Sequence, residues 1–124
     1  MQKKTLYILF FALITSQISA QKVQIAKADK NFEQYGYVDA IKTYERIFEK
    51  GYKSADMLQK LGDSYYFKAE LENAAKWYTE LFALTQDVAP EYYYRYSQTL
   101  KAIKNYKKAD QMLLKFNQIS GNDT

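Results

Sequence analysis

Three alanines set the frame for this chain. Ala40, Ala74 and Ala109 stand 34 and then 35 residues apart, and their surroundings recur with them. Tyr37, Leu71 and Tyr106 lie three positions before the alanines, and Tyr44, Tyr78 and Leu113 lie four after. Earlier in each unit Ala28, Gly62 and Ser97 correspond. Small residues there let two helices approach closely. A period of this length marks one supersecondary unit copied along the chain, and such units bury their apolar faces by stacking.

The middle unit, Ala55 to Leu84, shows what is copied. Leu58, Leu61, Gly62 and Tyr65 fall on one helical stripe, and Leu71, Ala74, Ala75, Tyr78 and Leu81 fall on a second. Spacings of three and four predict two helices joined by a short turn near Ala69 and Glu70. In the first unit Ile25, Ala28, Phe32 and Tyr35 form one apolar face, and Gly36 breaks that helix with left-handed backbone. Val38, Ala40, Ile41, Tyr44, Ile47 and Phe48 follow, and Gly51 closes them. Ser54 is placed to cap the third helix. After Leu84, Asp87 is a candidate cap, and Pro90 suits the first turn of the fifth helix. Tyr93, Tyr96, Ser97 and Leu100 face one way there. Asn105 caps a sixth helix with Tyr106, Ala109, Leu113 and Phe116 inward. Asn73 falls on the solvent side of the fourth. Ser120 to Thr124 is small and polar and is expected to fray.

Residues 1–20 read as an address. Lys3 and Lys4 precede the unbroken apolar run Leu6 to Ile14, and Thr15 to Ala20 turns small and polar. That is the three-part layout of a secretory signal peptide, with cleavage expected after Ala20 to leave Gln21 first. The run is short for a membrane span of about 30 Å, so no spanning segment is expected once it is removed. There is no Cys, hence neither disulfide nor acylation site. A periplasmic or outer-membrane-associated location follows from that reading.

Composition narrows the chemistry. The chain has no His and no Cys, which removes the commonest general base, metal ligand and nucleophile. The carboxylates show no metal-loop spacing, and there is no Gly-rich phosphate loop. No catalytic, cofactor or metal residue is assigned, and an enzyme is not expected. The net charge of +4 includes Lys3 and Lys4. Without residues 1–20 the charges are mixed and close to balance, so nucleic acid is not the expected partner.

The repeat resembles that of the tetratricopeptide family, whose helical hairpins carry this pattern of small and large positions. The middle unit matches best, through Leu61-Gly62, Tyr65, Ala74 and Tyr78. The first departs, with Lys27 and Ala28 where Leu-Gly is usual, and the third has Tyr96 and Ser97. The late Pro of the family is missing from the first two units. The resemblance covers about residues 22–119 and implies an all-α, right-handed solenoid of three helix-turn-helix repeats, about six helices. The divisions expected are 1–20 signal peptide, 21–53, 54–88 and 89–119 repeats, and a flexible end at 120–124. More loosely, a signal peptide before Tyr-rich repeats is similar to the N-terminal segment of bacterial OmpA-like envelope proteins.

The resemblance also implies the function, a protein- or peptide-binding adaptor whose first helices line a groove. Carried over residue by residue, the groove includes Asp29, Asp56, Gln59, Asp63, Tyr66, Tyr94, Gln98 and Lys101, with Phe67 and Glu91 beside them. Acidic and aromatic groups at these positions argue against a clamp for a terminal carboxylate. They favour an extended segment carrying Lys or Arg among apolar residues, with Asp56 and Asp63 supplying the opposite charge. The alternative is a structural segment inside a larger outer-membrane assembly, with no groove function. Within the Tyr92–Tyr96 run, Tyr93 and Tyr96 are expected to pack against the preceding hairpin. The last helix, with Met112, Leu113, Leu114, Phe116 and Ile119, is as apolar as the internal ones. It is expected to need a second copy, a partner or further chain to cover it.

Overall fold

The computed structural model describes residues 2–121. Among them are six α-helices and no strand: α1 Gln2–Glu33, α2 Tyr37–Glu49, α3 Ala55–Phe67, α4 Leu71–Leu84, α5 Pro90–Ala102 and α6 Tyr106–Ile119. One compact unit, Met1–Lys50, holds α1 and α2; the other, Gly51–Thr124, holds α3 to α6. The last three residues of the polar tail lie outside the described residues.

The three hairpin turns are built alike, atom for atom. Tyr35, Ala69 and Lys104 follow α1, α3 and α5 with φ of 62°, 61° and 64°. Their N–H groups donate to Phe32, Tyr66 and Lys101 carbonyls at 3.0, 2.9 and 2.9 Å. The next N–H groups, of Gly36, Glu70 and Asn105, reach back to Asn31, Tyr65 and Leu100 at 2.7, 2.9 and 2.9 Å. This pair of bonds is the Schellman motif, which satisfies helix-end carbonyls and offsets the roughly 1–2 kcal/mol cost of left-handed backbone. Gly36 was expected to take the left-handed place and does not. Its φ is −80°, because it stands one residue later, where a Cβ would meet the Asn31 carbonyl oxygen at 3.0 Å. Tyr35 takes that place instead, so it leaves the apolar face and is 79% exposed.

The other boundaries follow local chemistry. Gly51, at φ 95°, does end α2 with left-handed backbone. The Ser54 hydroxyl accepts from Met57 N–H at 3.1 Å, and Asn105 Oδ1 accepts from Lys108 N–H at 3.4 Å. Pro90 sits in the first turn of α5. Asp87 does not cap that helix. Ala89 holds the cap position, and the Asp87 N–H is turned back onto Thr85 Oγ1 at 3.0 Å. Helix α1 is continuous through Ala20 and Gln21, with residues 3–20 exposed. By length and composition, Lys3–Glu33 could cross a membrane, a test that a signal sequence also passes.

Each unit has its own core. In the first, Ala28, Ala40, Ile41, Tyr44 and Ile47 are buried. In the second, Met57, Leu58 and Leu61 of α3 meet Ala74, Trp77, Tyr78 and Leu81 of α4, and α5 closes over α4 with rings. Tyr96 stacks on Phe82 at 4.7 Å, and Tyr93 meets the same ring edge-on at 4.9 Å. Tyr92 and Tyr96 flank Tyr78 at 6.1 and 6.5 Å. Ring pairs of this kind add about 0.5–1.5 kcal/mol each beyond their buried area. Gly62 is fixed by the same packing. A Cβ there would lie 2.4 and 2.6 Å from Tyr78 ring atoms. Gly62→Ala is therefore expected to cost about 1–3 kcal/mol through overpacking. A urea midpoint equal to that of the parent would contradict this account of the contact.

The last helix is less bare than its composition suggests. On α4 the positions that receive α5 include Ala75, Tyr78, Thr79 and Phe82. At the corresponding positions α6 carries Asp110, Leu113, Leu114 and Asn117. Asp110 and Asn117 thus stand where α4 has Ala75 and Phe82, while Leu114 stands where it has Thr79. Met112, Leu113 and Phe116 are half-buried, and Phe116 lies against Tyr94 at 5.5 Å. The large apolar side chains of α6 that stay well exposed are Tyr106, Leu114 and Ile119, at 59%, 59% and 44%.

Candidate partner-binding site

In the second unit the first-helix faces of α3 and α5 meet at a charged cluster centred on Asp63. This residue follows Gly62, where α3 runs closest to Tyr78, and is only 4% exposed. Its carboxylate accepts three hydrogen bonds. The Tyr78 hydroxyl donates to Oδ1 at 2.5 Å, the Tyr92 hydroxyl to Oδ2 at 2.7 Å, and Arg95 Nη1 to Oδ1 at 3.0 Å. Tyr78 belongs to α4 and the other two donors to α5, so one carboxylate ties three helices together.

Arg95 is held from both sides. Its guanidinium lies 5.1 Å from the Phe67 ring centre, 5.3 Å from Tyr92 and 5.7 Å from Tyr66. Such contacts strengthen as water is excluded, and the Arg95 side chain is 23% exposed. Burial works to lower its pKa, yet the pKa is raised, with the Asp63 charge the largest cause in that direction. Burial, and then the Asp63 charge, push the Tyr78 phenol well above its ordinary value. The same causes, in the same order, raise Tyr92. Both phenols stay protonated donors, and the carboxylate and guanidinium form an internal ion pair.

The first unit repeats part of this device. The Tyr44 hydroxyl donates to Asp29 Oδ1 at 2.5 Å, across the same 15-residue separation as Tyr78 and Asp63. The third repeat cannot, since Gln98 and Leu113 stand at those two positions. The recurrence explains an acid in the first helix without any partner.

The residues expected to face a partner therefore divide. Asp63 is committed inside the fold and offers no free charge, and Asp29 is half-buried beneath a tyrosine hydroxyl. Asp56 stays at the surface, its side chain 67% exposed, with Lys60 at 3.0 Å one turn on. Gln59 and Gln98 are half-buried, and Lys101 is exposed. Tyr94 is 41% exposed. Tyr66 is half-buried, with Phe67 edge-on at 5.9 Å. Asp56, Gln59, Tyr66, Phe67, Tyr94, Gln98 and Lys101 thus remain presented by the second unit. The sequence points to Tyr92 as one of the clustered rings, but it gives Arg95 no role. An arginine inside the run Tyr92–Tyr96 was the available signal, but its partner lies 32 residues away and only packing brings the two together.

Two depressions lie elsewhere. One, of about 530 Å³, is lined in the first unit by Gln17, Gln21, Gln24, Thr43, Arg46 and Lys50. It straddles the Ala20–Gln21 bond, so cleavage there would remove part of its wall. The other is beside the α3–α4 turn. Among the described residues no group of three His, Cys, Asp or Glu could hold a metal ion.

Known structures share this arrangement of hairpins. The C-terminal part of a TPR repeat-containing protein from Cytophaga hutchinsonii superposes with a TM-score of 0.66 at 20% identity, over 76% of this chain and 37% of that one. The first TPR of Spaghetti (RPAP3), solved bound to the HSP90 peptide SRMEEVD, superposes with a TM-score of 0.65 at 17% identity, over 83% of this chain and 81% of that one. This chain has the tetratricopeptide-repeat fold. No family model matches the sequence, and no curated protein matches it. This chain spans little more than a third of the Cytophaga structure.

Proposed function

We propose that this tetratricopeptide-repeat chain is an exported, non-catalytic adaptor that binds protein or peptide segments in the bacterial cell envelope. The observation that carries the binding role is a half-exposed set of rings and charges on α3 and α5, held by a rigid cluster beneath. Tyr66, Phe67 and Tyr94 supply area, and Asp56, Glu91 and Lys101 supply charge around them. Large rings over a locked backing lose little entropy on binding, which favours them as anchors. A solved neighbour of the same fold holds a peptide, which supports a peptide as the class of partner. With Asp63 neutralised by Arg95, any preference for Lys or Arg in the bound segment rests on Asp56 and Glu91. The N-terminal pattern, with an apolar helix exposed along residues 3–20, supports export and removal of that segment. Selection of peptides from a displayed library is the test. Binders should lose about tenfold or more with Tyr94→Ala and Asp56→Lys, since truncating an anchor costs above roughly 1 kcal/mol. Binders indifferent to both would reject this face. Edman sequencing of the secreted chain should begin at Gln21, and a start at Met1 would reject export with cleavage.

A further inference from the structure

We propose that the α5–α6 turn, from Lys101 to Lys108, is a docking surface for an anionic phospholipid bilayer. Lys101, Lys104, Lys107 and Lys108 fall within eight residues. The first three are exposed, and Lys108 is half-buried with its ammonium 5.4 Å from the Tyr96 ring centre. Among the described residues none of these lysines has an ion-pair partner. Between Glu91 and Asp123 the sequence offers Asp110 as its single carboxylate side chain.

Local stability does not account for this charge. Helices α2 to α5 each carry an acid in the first turn, namely Asp39, Asp56, Glu72 and Glu91, where the positive end of the helix dipole favours it. Helix α6 carries none and instead places Lys107 and Lys108 there, against the dipole. Between the lysines, Ile103 and Tyr106 are 45% and 59% exposed at the tip of the turn.

A bilayer suits this surface better than an acidic protein segment does. Residues 103–107 are all exposed, so the turn projects its side chains outward rather than enclosing a chain. The depression that reaches Ala102 is lined on its other side by Glu70 and Glu72, the wrong charge for an acidic peptide. A fluid layer of phosphates needs no groove. It meets lysines as point charges on flexible stems, each adding attraction that falls with salt. Isoleucine and tyrosine side chains can enter at headgroup depth. The inference shares only Lys101 with the α3–α5 binding face, and its failure would leave the reading of Asp56, Tyr66, Phe67 and Tyr94 untouched.

The absence of Cys in the chain allows a direct test on the full-length protein. Gln111→Cys, one turn along α6 from Lys107 and Lys108, is labelled with an environment-sensitive dye. Gln86→Cys, near the far end of α5 and about 20 Å away by helix rise, is the control. With mixed phosphatidylglycerol–phosphatidylcholine vesicles the label at 111 should shift to the blue, and the label at 86 should not. Phosphatidylcholine alone should give no shift, and high salt should abolish it. Lys101→Glu/Lys104→Glu/Lys107→Glu should weaken the response at least about tenfold. Ile103→Ser/Tyr106→Ser should weaken it severalfold while keeping the salt dependence. A label at 111 that stays solvent-like on vesicles the chain has bound through its apolar N-terminal helix would overturn the proposal. So would equal shifts on both vesicle types. A shift produced by polyglutamate but not by phosphatidylglycerol would overturn it in favour of an acidic polypeptide.

Discussion

Replacing Asp63 by alanine is expected to lower the unfolding free energy by about 3 kcal/mol, because it strands a partly buried guanidinium and two phenol hydroxyls together. The carboxylate accepts from Tyr78, Tyr92 and Arg95, and water cannot readily replace it at 4% exposure. Small domains hold about 5–15 kcal/mol in all, so the loss would show as a large drop in urea midpoint. Arg95→Met should cost less, about 2 kcal/mol. It keeps an apolar stem against Tyr66 and Phe67 and leaves Asp63 with two hydroxyl donors. A surface role for Asp63 predicts a different result, a change within roughly 0.5 kcal/mol. The distinction matters for function too. A variant reversing both Asp56 and Asp63 would unfold the module and say nothing about its partner, whereas Asp56→Lys alone tests the face.

The second large effect is alkaline. The Tyr78 phenol is raised above the ordinary tyrosine value near 10, first by burial and then by the Asp63 charge. In the unfolded chain it ionises near that ordinary value; in the folded chain it keeps its proton. Its contribution to stability is therefore complete below pH 10 and is lost as pH rises beyond it. Each proton released only on unfolding removes about 1.4 kcal/mol per pH unit. Tyr92 is shifted the same way and steepens the decline, to a lesser degree because it is only half-buried. Urea midpoints measured from pH 9 to pH 11 should fall faster for the parent than for Tyr78→Phe, which has no phenol to ionise. Parallel curves would show that Tyr78 is not shielded as described.

The sequence made much of this fold readable because helical periodicity and a fixed repeat reinforce one another. The register Ala40, Ala74, Ala109 placed all three hairpins, and Ser54, Pro90 and Asn105 marked helix starts by chemistry that acts over a few residues. The turns were harder. Tyr35, Ala69 and Lys104 adopt left-handed backbone through hydrogen bonds made by the fold, and none of the three residue types advertises it. Trp77, 3% exposed, was not among the residues assigned to the core. It lies one step off the Ala74–Tyr78–Leu81 stripe, so a strict reading of that stripe leaves it out.

The candidate site was legible only as positions. Reading Asp63 as a groove residue followed from its place in the repeat, but its carboxylate is buried under Tyr78, Tyr92 and Arg95. What periodicity could not supply was its counter-ion. Arg95 belongs to the next repeat, and the pairing exists only because α5 packs over α4 through Tyr92, Tyr93 and Tyr96. Asp29 with Tyr44 and Asp63 with Tyr78 could have been noticed as a recurring acid and phenol 15 residues apart. The loss of both members at Gln98 and Leu113 in the third repeat would then have pointed to a structural pair.

The most direct test of that claim is a double-mutant cycle between Asp63 and Arg95 in equilibrium urea unfolding, using Asp63→Ala, Arg95→Met and the double variant. If the carboxylate is the internal tie between α3 and α5, the two substitutions should be strongly non-additive, with a coupling above about 1 kcal/mol. Additive losses, with a coupling below roughly 0.3 kcal/mol, would mean that the pair does not hold the repeats together and would return Asp63 to the surface available to a partner.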